Sequence, residues 1–259
     1  MADRVLPGPV DGTACIREAV CVHTKKIFDS CRDKDCIEDL RVYPTVGSQT
    51  YIDNAFSVRP KSAELLYAEV NVEAISFNKG YYTVDVTYFY KITGETFPGG
   101  NTVTGLAIFD KRVMLCGGEG TVKTFSSDLC DCSCVDDGMP IAYVEAVDPI
   151  ALHLKLVDAN CIVSCDNDRH DIPACILDRF GEALVTGDAV RRLYVTLGQF
   201  SIIRLERDTQ LLIPAYDYCI PEKECAGGSC SDDPCEIFSQ IRFPVEEFFP
   251  SNDCSSSAG

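Results

Sequence analysis

In Leu66–Ala74 the apolar residues fall at every second position: Leu66, Ala68, Val70, Val72 and Ala74. That is the period of a strand with one face buried. Asn78-Lys79-Gly80 is a turn signal, and beyond it Tyr82, Val84, Val86, Tyr88 and Tyr90 share one face of a second strand over Tyr81–Ile92. The two segments predict a long hairpin. Pro98-Gly99-Gly100-Asn101 then turns the chain into a strand over Thr102–Cys116, and Gly117-Gly118-Glu119-Gly120 turns it again into Thr121–Phe125. Glycine-rich loops also cradle phosphate, but this one has neither the P-loop nor the dinucleotide spacing, so it reads as a turn.

Further along, Ile141–Val157 reads as two short strands split by Asp148-Pro149, the second with Ile150, Leu152, Leu154 and Leu156 on one face. Val190–Leu205 and Gln210–Tyr218 predict another long hairpin, turning at Glu206-Arg207-Asp208. Helical signals are sparse. Asp33–Leu40 suggests one or two turns from its aspartate start and the spacing of Ile37 and Leu40. Pro173–Phe180 suggests a short helix ending at Gly181, and residues 235–241 another. No βαβ alternation is visible. The pattern predicts a mainly β fold, an antiparallel β-sandwich or barrel-like core with a few short helices and cysteine-rich terminal arms. It divides the chain into a cysteine-bearing N-terminal arm (1–44), a β-rich core (45–218) with cysteine-bearing loops at 128–140 and 159–181, and a cysteine-rich tail (219–259).

At 259 residues and 46% hydrophobic, the chain is long and apolar enough to bury a sizeable core. No apolar run has the length of a membrane span. The opening Met-Ala-Asp-Arg-Val-Leu-Pro-Gly-Pro lacks a basic stretch followed by an apolar one, so synthesis in the cytosol without a signal peptide is expected. The net charge of −17 repels phosphate backbones and anionic lipid, which argues against nucleic-acid and membrane partners.

Cysteine changes the picture more than charge does. There are sixteen, and within the strand region 46–127 only Cys116 occurs. Three chemistries compete. For metal, Cys31-x4-Cys36, Cys130-x-Cys132-x-Cys134 and Cys21-x-His23 bring donors close, but no Cys-x2-Cys knuckle exists. An iron–sulfur run starting at Cys31 needs a third cysteine where Asp39 stands. Cys161, Cys165, His170 and Cys175 supply four donors without a diagnostic spacing. For catalysis, His23, His153 and His170 are the available imidazoles, and no nucleophile elbow, zinc-protease helix or paired-carboxylate signature accompanies them. Asp166-Asn167-Asp168 opens like a calcium loop, then has His170 and Asp171 where a ligand and the required glycine belong. No catalytic residue, metal ligand or cofactor is therefore assigned. A zinc- or iron-binding module and a thiol oxidoreductase stay open as alternatives.

Cross-linking fits the placement better, because thiols on arms, loops and tails can reach partners. The candidates are Cys15, Cys21, Cys31 and Cys36 on the arm, and Cys219, Cys225, Cys230, Cys235 and Cys254 on the tail. Cys130, Cys132, Cys134, Cys161, Cys165 and Cys175 in the loops follow. Cysteines one residue apart, as in 130–134, are poorly placed to pair with each other.

The stretch Cys21-Val-His-Thr-Lys-Lys-Ile-Phe-Asp-Ser-Cys-Arg-Asp-Lys-Asp-Cys36, continuing through Glu38–Tyr43, resembles the signature of a cysteine-rich family of anaerobic spore-forming Firmicutes. Phe109–Val113 and Val144–Leu152 match the same pattern, so the resemblance covers residues 15–160. In character the chain is also similar to exosporium and spore-coat proteins that self-assemble into disulfide-stabilised lattices or surface layers. The resemblance implies a structural protein of the exosporium, coat or an appendage, whose principal partner is itself, as homo-oligomer, lattice or filament. Other spore-surface proteins are further implied partners.

Overall fold

The computed structural model describes residues 18–120, 122, 138–158, 172–187 and 189–215. The chain divides into a body, Lys25–Thr209, and a second unit formed by Met1–Thr24 with Gln210–Gly259. Of the second unit, residues 18–24 and 210–215 are described, as strand. The elements in order are β1 (Glu18–Pro44), α1 (Val46–Asn54), β2 (Ser57–Ala74), β3 (Tyr81–Phe97) and β4 (Thr102–Cys116). They are followed by β5 (Ile141–Ala146), β6 (Ile150–Asp158), α2 (Ala174–Leu177) and β7 (Arg191–Ala215).

The strands form one sheet in the order β2-β3-β4-β1-β7-β5, with β6 also paired to β7. β5 lies along Ser201–Glu206 of β7 and β6 along Arg191–Gly198, so the two short strands act as one broken strand bent at Asp148-Pro149. That strand packs against β2, which curls the body's sheet into a nearly closed antiparallel barrel. At the closure Leu65 N–H donates to Asp148 Oδ1 at 2.9 Å. Gly94 permits the close approach there, since a β carbon on it would sit 2.7 Å from the side chains of Val58 and Leu154.

The alternation of β3 explains the core. Tyr82, Val84, Val86, Tyr88, Tyr90 and Ile92 point into the barrel, where they meet Val103, Ala107 and Leu115 of β4 and Leu193 to Leu205 of β7. Phe89 points outward and joins Tyr43, Leu106, Ile108 and Ile176 in a smaller cluster beneath α2. Burying one such side chain is worth about 1.5–3 kcal/mol. These two clusters give the sheet a packed inside and one covered outer patch. No described helix is long and apolar enough to cross a membrane.

β3, β4, β5 and α2 match the pattern of the sequence, β6 matches it in extent, and the fold class is as expected. Four expectations are corrected. Asp33–Leu40 is strand rather than helix, because Asp33 and Asp35 face Lys111 on β4 and Ile37, two residues on, faces the core. Val190–Tyr218 is not a hairpin: β7 runs unbroken from Arg191 to Ala215. In place of a turn, Arg207 reaches sideways, donating to the carbonyls of Gly117 (2.5 Å), Gly118 and Gly138 and to the Tyr82 hydroxyl (2.7 Å). In β6 a register shift between Ala151 and His153 leaves Ile150 and Leu152 exposed, while Leu154 and Leu156 turn inward. Finally, β2 starts at Ser57 and α1 precedes it, capped by Thr45, whose Oγ1 accepts from Ser48 N–H at 3.3 Å. Most of the expected strand Thr121–Phe125 and the expected helix at 235–241 lie outside the described residues.

Candidate functional site

β1 carries three of the candidate thiols and the densest run of charge in the chain, and its alternation sorts them. Asp29, Cys31, Asp33, Asp35 and Ile37 lie on one face. Ile37 is buried in the barrel core and Cys31 packs against it. Asp29 Oδ2 accepts from the backbone N–H of Cys116 at 2.9 Å. Asp33 and Asp35 both accept from the ammonium of Lys111 on β4, Asp33 at 2.7 Å. On the opposite face Arg32, Lys34 and Cys36 are exposed. Lys34 lies over the Phe200 ring, 5.7 Å from its centroid, at the edge of a groove of about 560 Å³ between β1, β5 and β7. Opposite charges in the 32–35 stretch are thus split between two faces by the two-residue period of the strand.

The inward half of this site sets charge against a largely apolar core. The Lys111 side chain is 8% exposed, that of Asp35 22% and that of Asp33 43%. Burial is the largest influence on Lys111 and lowers its pKa, but the hydrogen bonds to Asp33 and Asp35 outweigh it and hold the ammonium above its ordinary value. Lys111 holds the Asp33 carboxyl below the usual aspartate range, helped by the Lys34 N–H, which donates to Asp33 Oδ1 at 2.8 Å. Deeper in the barrel, Tyr88 and Tyr90 stack with ring centroids 6.0 Å apart. Burial pushes both phenols up, with the Ser201 hydroxyl opposing the effect on Tyr88. Among the described residues, the buried hydroxyls of Tyr88, Tyr90 and Ser201 meet no partner in hydrogen-bonding geometry.

The described candidate thiols separate by environment. Cys21, Cys36 and Cys175 are exposed and Cys31 is half-buried, and none is in a disulfide. Burial pushes the Cys31 thiol up, against the pull of Lys111, so it is a poorer nucleophile than a solvated thiol. Cys116, which the sequence leaves inside a strand, is also half-buried and free. Cys15, Cys130, Cys132, Cys134, Cys161, Cys165, Cys219, Cys225, Cys230, Cys235 and Cys254 lie outside the described residues, as does His170. Among the described residues, no three of His, Cys, Asp and Glu gather as a metal site would require. His23 and His153 are exposed on strands.

Sequence reasoning missed Lys111, although the signal is there. In Ala107-x-Phe109-x-Lys111-x-Val113-x-Leu115 the lysine takes an inward position in an apolar alternation. A charge in such a place needs a partner.

No protein-family model matches the chain, and no solved structure matches it. The chain is similar to Exosporium protein A of Clostridium sporogenes (strain ATCC 15579), at 26% identity over 268 aligned positions that span 92% of this chain and 78% of that protein.

Proposed function

We propose that the protein is a structural, self-assembling component of the spore surface, whose subunits are locked by disulfides into a lattice or fibre. The observation that carries this reading is the likeness to Exosporium protein A along nearly the whole chain. The β-barrel body is consistent with it, since a closed sheet gives a rigid subunit with few open edges. Within the body, Cys36 and Cys175 are the thiols best placed to meet another subunit, being exposed on β1 and α2. Cys31 is the least suited, because its sulfur packs against the core. The exposed Arg32, Lys34 and Phe200 rim the groove beside Cys36 and would set the register of a neighbouring subunit before oxidation.

Electron microscopy of the recombinant protein with and without reductant tests the proposal. Ordered arrays that loosen on reduction are expected, with alkylation mapping placing bonded thiols among the candidates. A monodisperse monomer under both conditions would sink the assembly reading. Stoichiometric zinc or iron in the purified protein, or one thiol reacting far faster than the rest at neutral pH, would move the assignment to a metal-binding module or an oxidoreductase.

A further inference from the structure

The hydrogen-bonded pairing of β1 with β4 covers Val42–Pro44 against Gly105–Ala107. Asp39, with φ of 48°, kinks β1 just before that stretch. On the other side of the kink the two strands are joined by side chains: Asp29 to the backbone of Cys116, and Asp33 and Asp35 to Lys111. The Lys111 side chain is 8% exposed, on the barrel side of β4 between the core residues Ala107 and Leu115. It touches two carboxylates of unequal burial, Asp35 the deeper.

We propose that Lys111 and Asp35 condense into an intramolecular amide that welds β4 to β1, with Asp33 carrying the proton between them. The ammonium passes a proton to Asp33, and the freed Nζ lone pair attacks Cγ of Asp35. The N–C bond forms, Asp33 returns that proton to an Asp35 oxygen and then relays a second one from Nζ to the same oxygen, and the C–O bond breaks as water leaves. Of the three ammonium protons one stays on the amide nitrogen and two depart with the Asp35 oxygen. One positive and one negative charge vanish together, and no oxidant or cofactor is consumed.

Three features of the site favour this. Holding amine and carboxyl in contact removes the entropic cost of bringing them together, which in well-aligned intramolecular reactions corresponds to effective concentrations on the order of 10⁵ M or more. Replacing a buried ion pair by a neutral amide relieves the cost of keeping two charges from water. The Tyr88 side chain, 0% exposed and close enough to feel both Lys111 and Asp35, walls the site with a buried polar group on its inner side. The resting ion pair works the other way, since it keeps the amine protonated. Bond formation is therefore slow, following folding rather than accompanying it. Asp33, in direct contact with the ammonium, is the group that can accept the proton locally.

The test is denaturing mass spectrometry of the folded, aged full-length protein after complete reduction and alkylation. The chain should be lighter than its sequence by one water, and peptide sequencing should find Asp35 joined to Lys111. The Lys111→Arg variant, which keeps the charge, should have the full mass while its circular dichroism remains that of a folded β protein. Asp35→Asn should still cross-link, now losing ammonia in place of water, and Asp33→Ala should leave most Lys111 unreacted over the same period. An unmodified mass in folded, aged wild-type protein would overturn the proposal. So would a water deficit that persists in Lys111→Arg, or a cross-link that maps to Asp33. None of these results bears on array formation, which depends on thiols.

Discussion

β4 has two neighbours and is held to them in different ways. Toward β3 it pairs residue for residue from Thr102–Glu95 to Cys116–Tyr81 with no shift in register, and the side chains of that ladder build the barrel core. Toward β1 the described ladder is three residues long, and carboxylates take over from backbone. The β3 side is specified by local sequence, with a tight turn at Pro98–Asn101 and strict alternation. The β1 side joins segments far apart in the chain, and directional side-chain contacts supply what the ladder does not. The contrast places non-directional packing energy in the β2–β3–β4 meander and strand-to-strand specificity in the β1 seam.

Truncating the meander's packing should have the largest effect. Phe89→Ala removes a ring that is 1% exposed and should cost about 3–5 kcal/mol in denaturant unfolding of the reduced protein. Next comes the seam. Lys111→Met leaves Asp33 and Asp35 without their cation and, counting the ion pair alone, should cost about 2–3 kcal/mol. This is less than for a wholly buried pair, because water still reaches Asp33. If Lys111→Met cost as much as Phe89→Ala, the division of labour between the two sides would be wrong.

The seam should also respond to pH in a way the meander does not. The folded pKa of Asp33 is lowered, so its contribution is complete above the unfolded aspartate value of about 3.9 and is lost as pH falls through the folded value. The folded pKa of Lys111 is raised, so its contribution is complete below about 10.4 and is lost as pH rises through the folded value. Hydrogen exchange below about pH 3.9 should therefore loosen Asp29–Asp35 before Tyr82–Tyr90 in chains whose Lys111 amine is free. Amide-linked chains should show a weaker acid step.

Smaller effects sharpen the picture further. Thr45→Ala removes the cap of α1, directly after the short β1–β4 ladder, and should cost about 1 kcal/mol by thermal melting. Cys36→Ser, on an exposed face, should leave subunit stability within about 0.5 kcal/mol of wild type yet reduce disulfide-dependent arrays seen by microscopy. Equal loss of stability and assembly would mean that Cys36 serves the subunit rather than the contact between subunits.

Local pattern made β3, β4, β5 and α2 legible, and β6 in its extent, while the register shift at Ala151/His153 hid which of its side chains turn inward. β2 was half legible: register shifts at Pro60/Ser62 and Leu65/Tyr67 break its alternation, hiding the stretch from Ser57 to Leu65. α1 was overlooked although Thr45 and Ser48 signal its start. Of the candidate site, the thiols were visible as residue types, but not which of them face water. The pairing of Lys111 with Asp33 and Asp35 spans more than seventy residues, beyond any local window.

By itself the amino-acid sequence determined the β class, the meander with its turns and inward faces, and the wealth of thiols. These follow from two-residue periodicity, turn chemistry and composition, which are local properties. The tertiary structure alone decided that β7 runs straight through Glu206-Arg207-Asp208. A polar triplet turns a chain only when nothing better engages it, and Arg207 finds the carbonyls of Gly117, Gly118 and Gly138 brought to it by β4 and β5. It decided likewise that Asp33–Leu40 is strand, because a lysine on β4 and the barrel core claim alternate residues that weak helical propensity cannot hold.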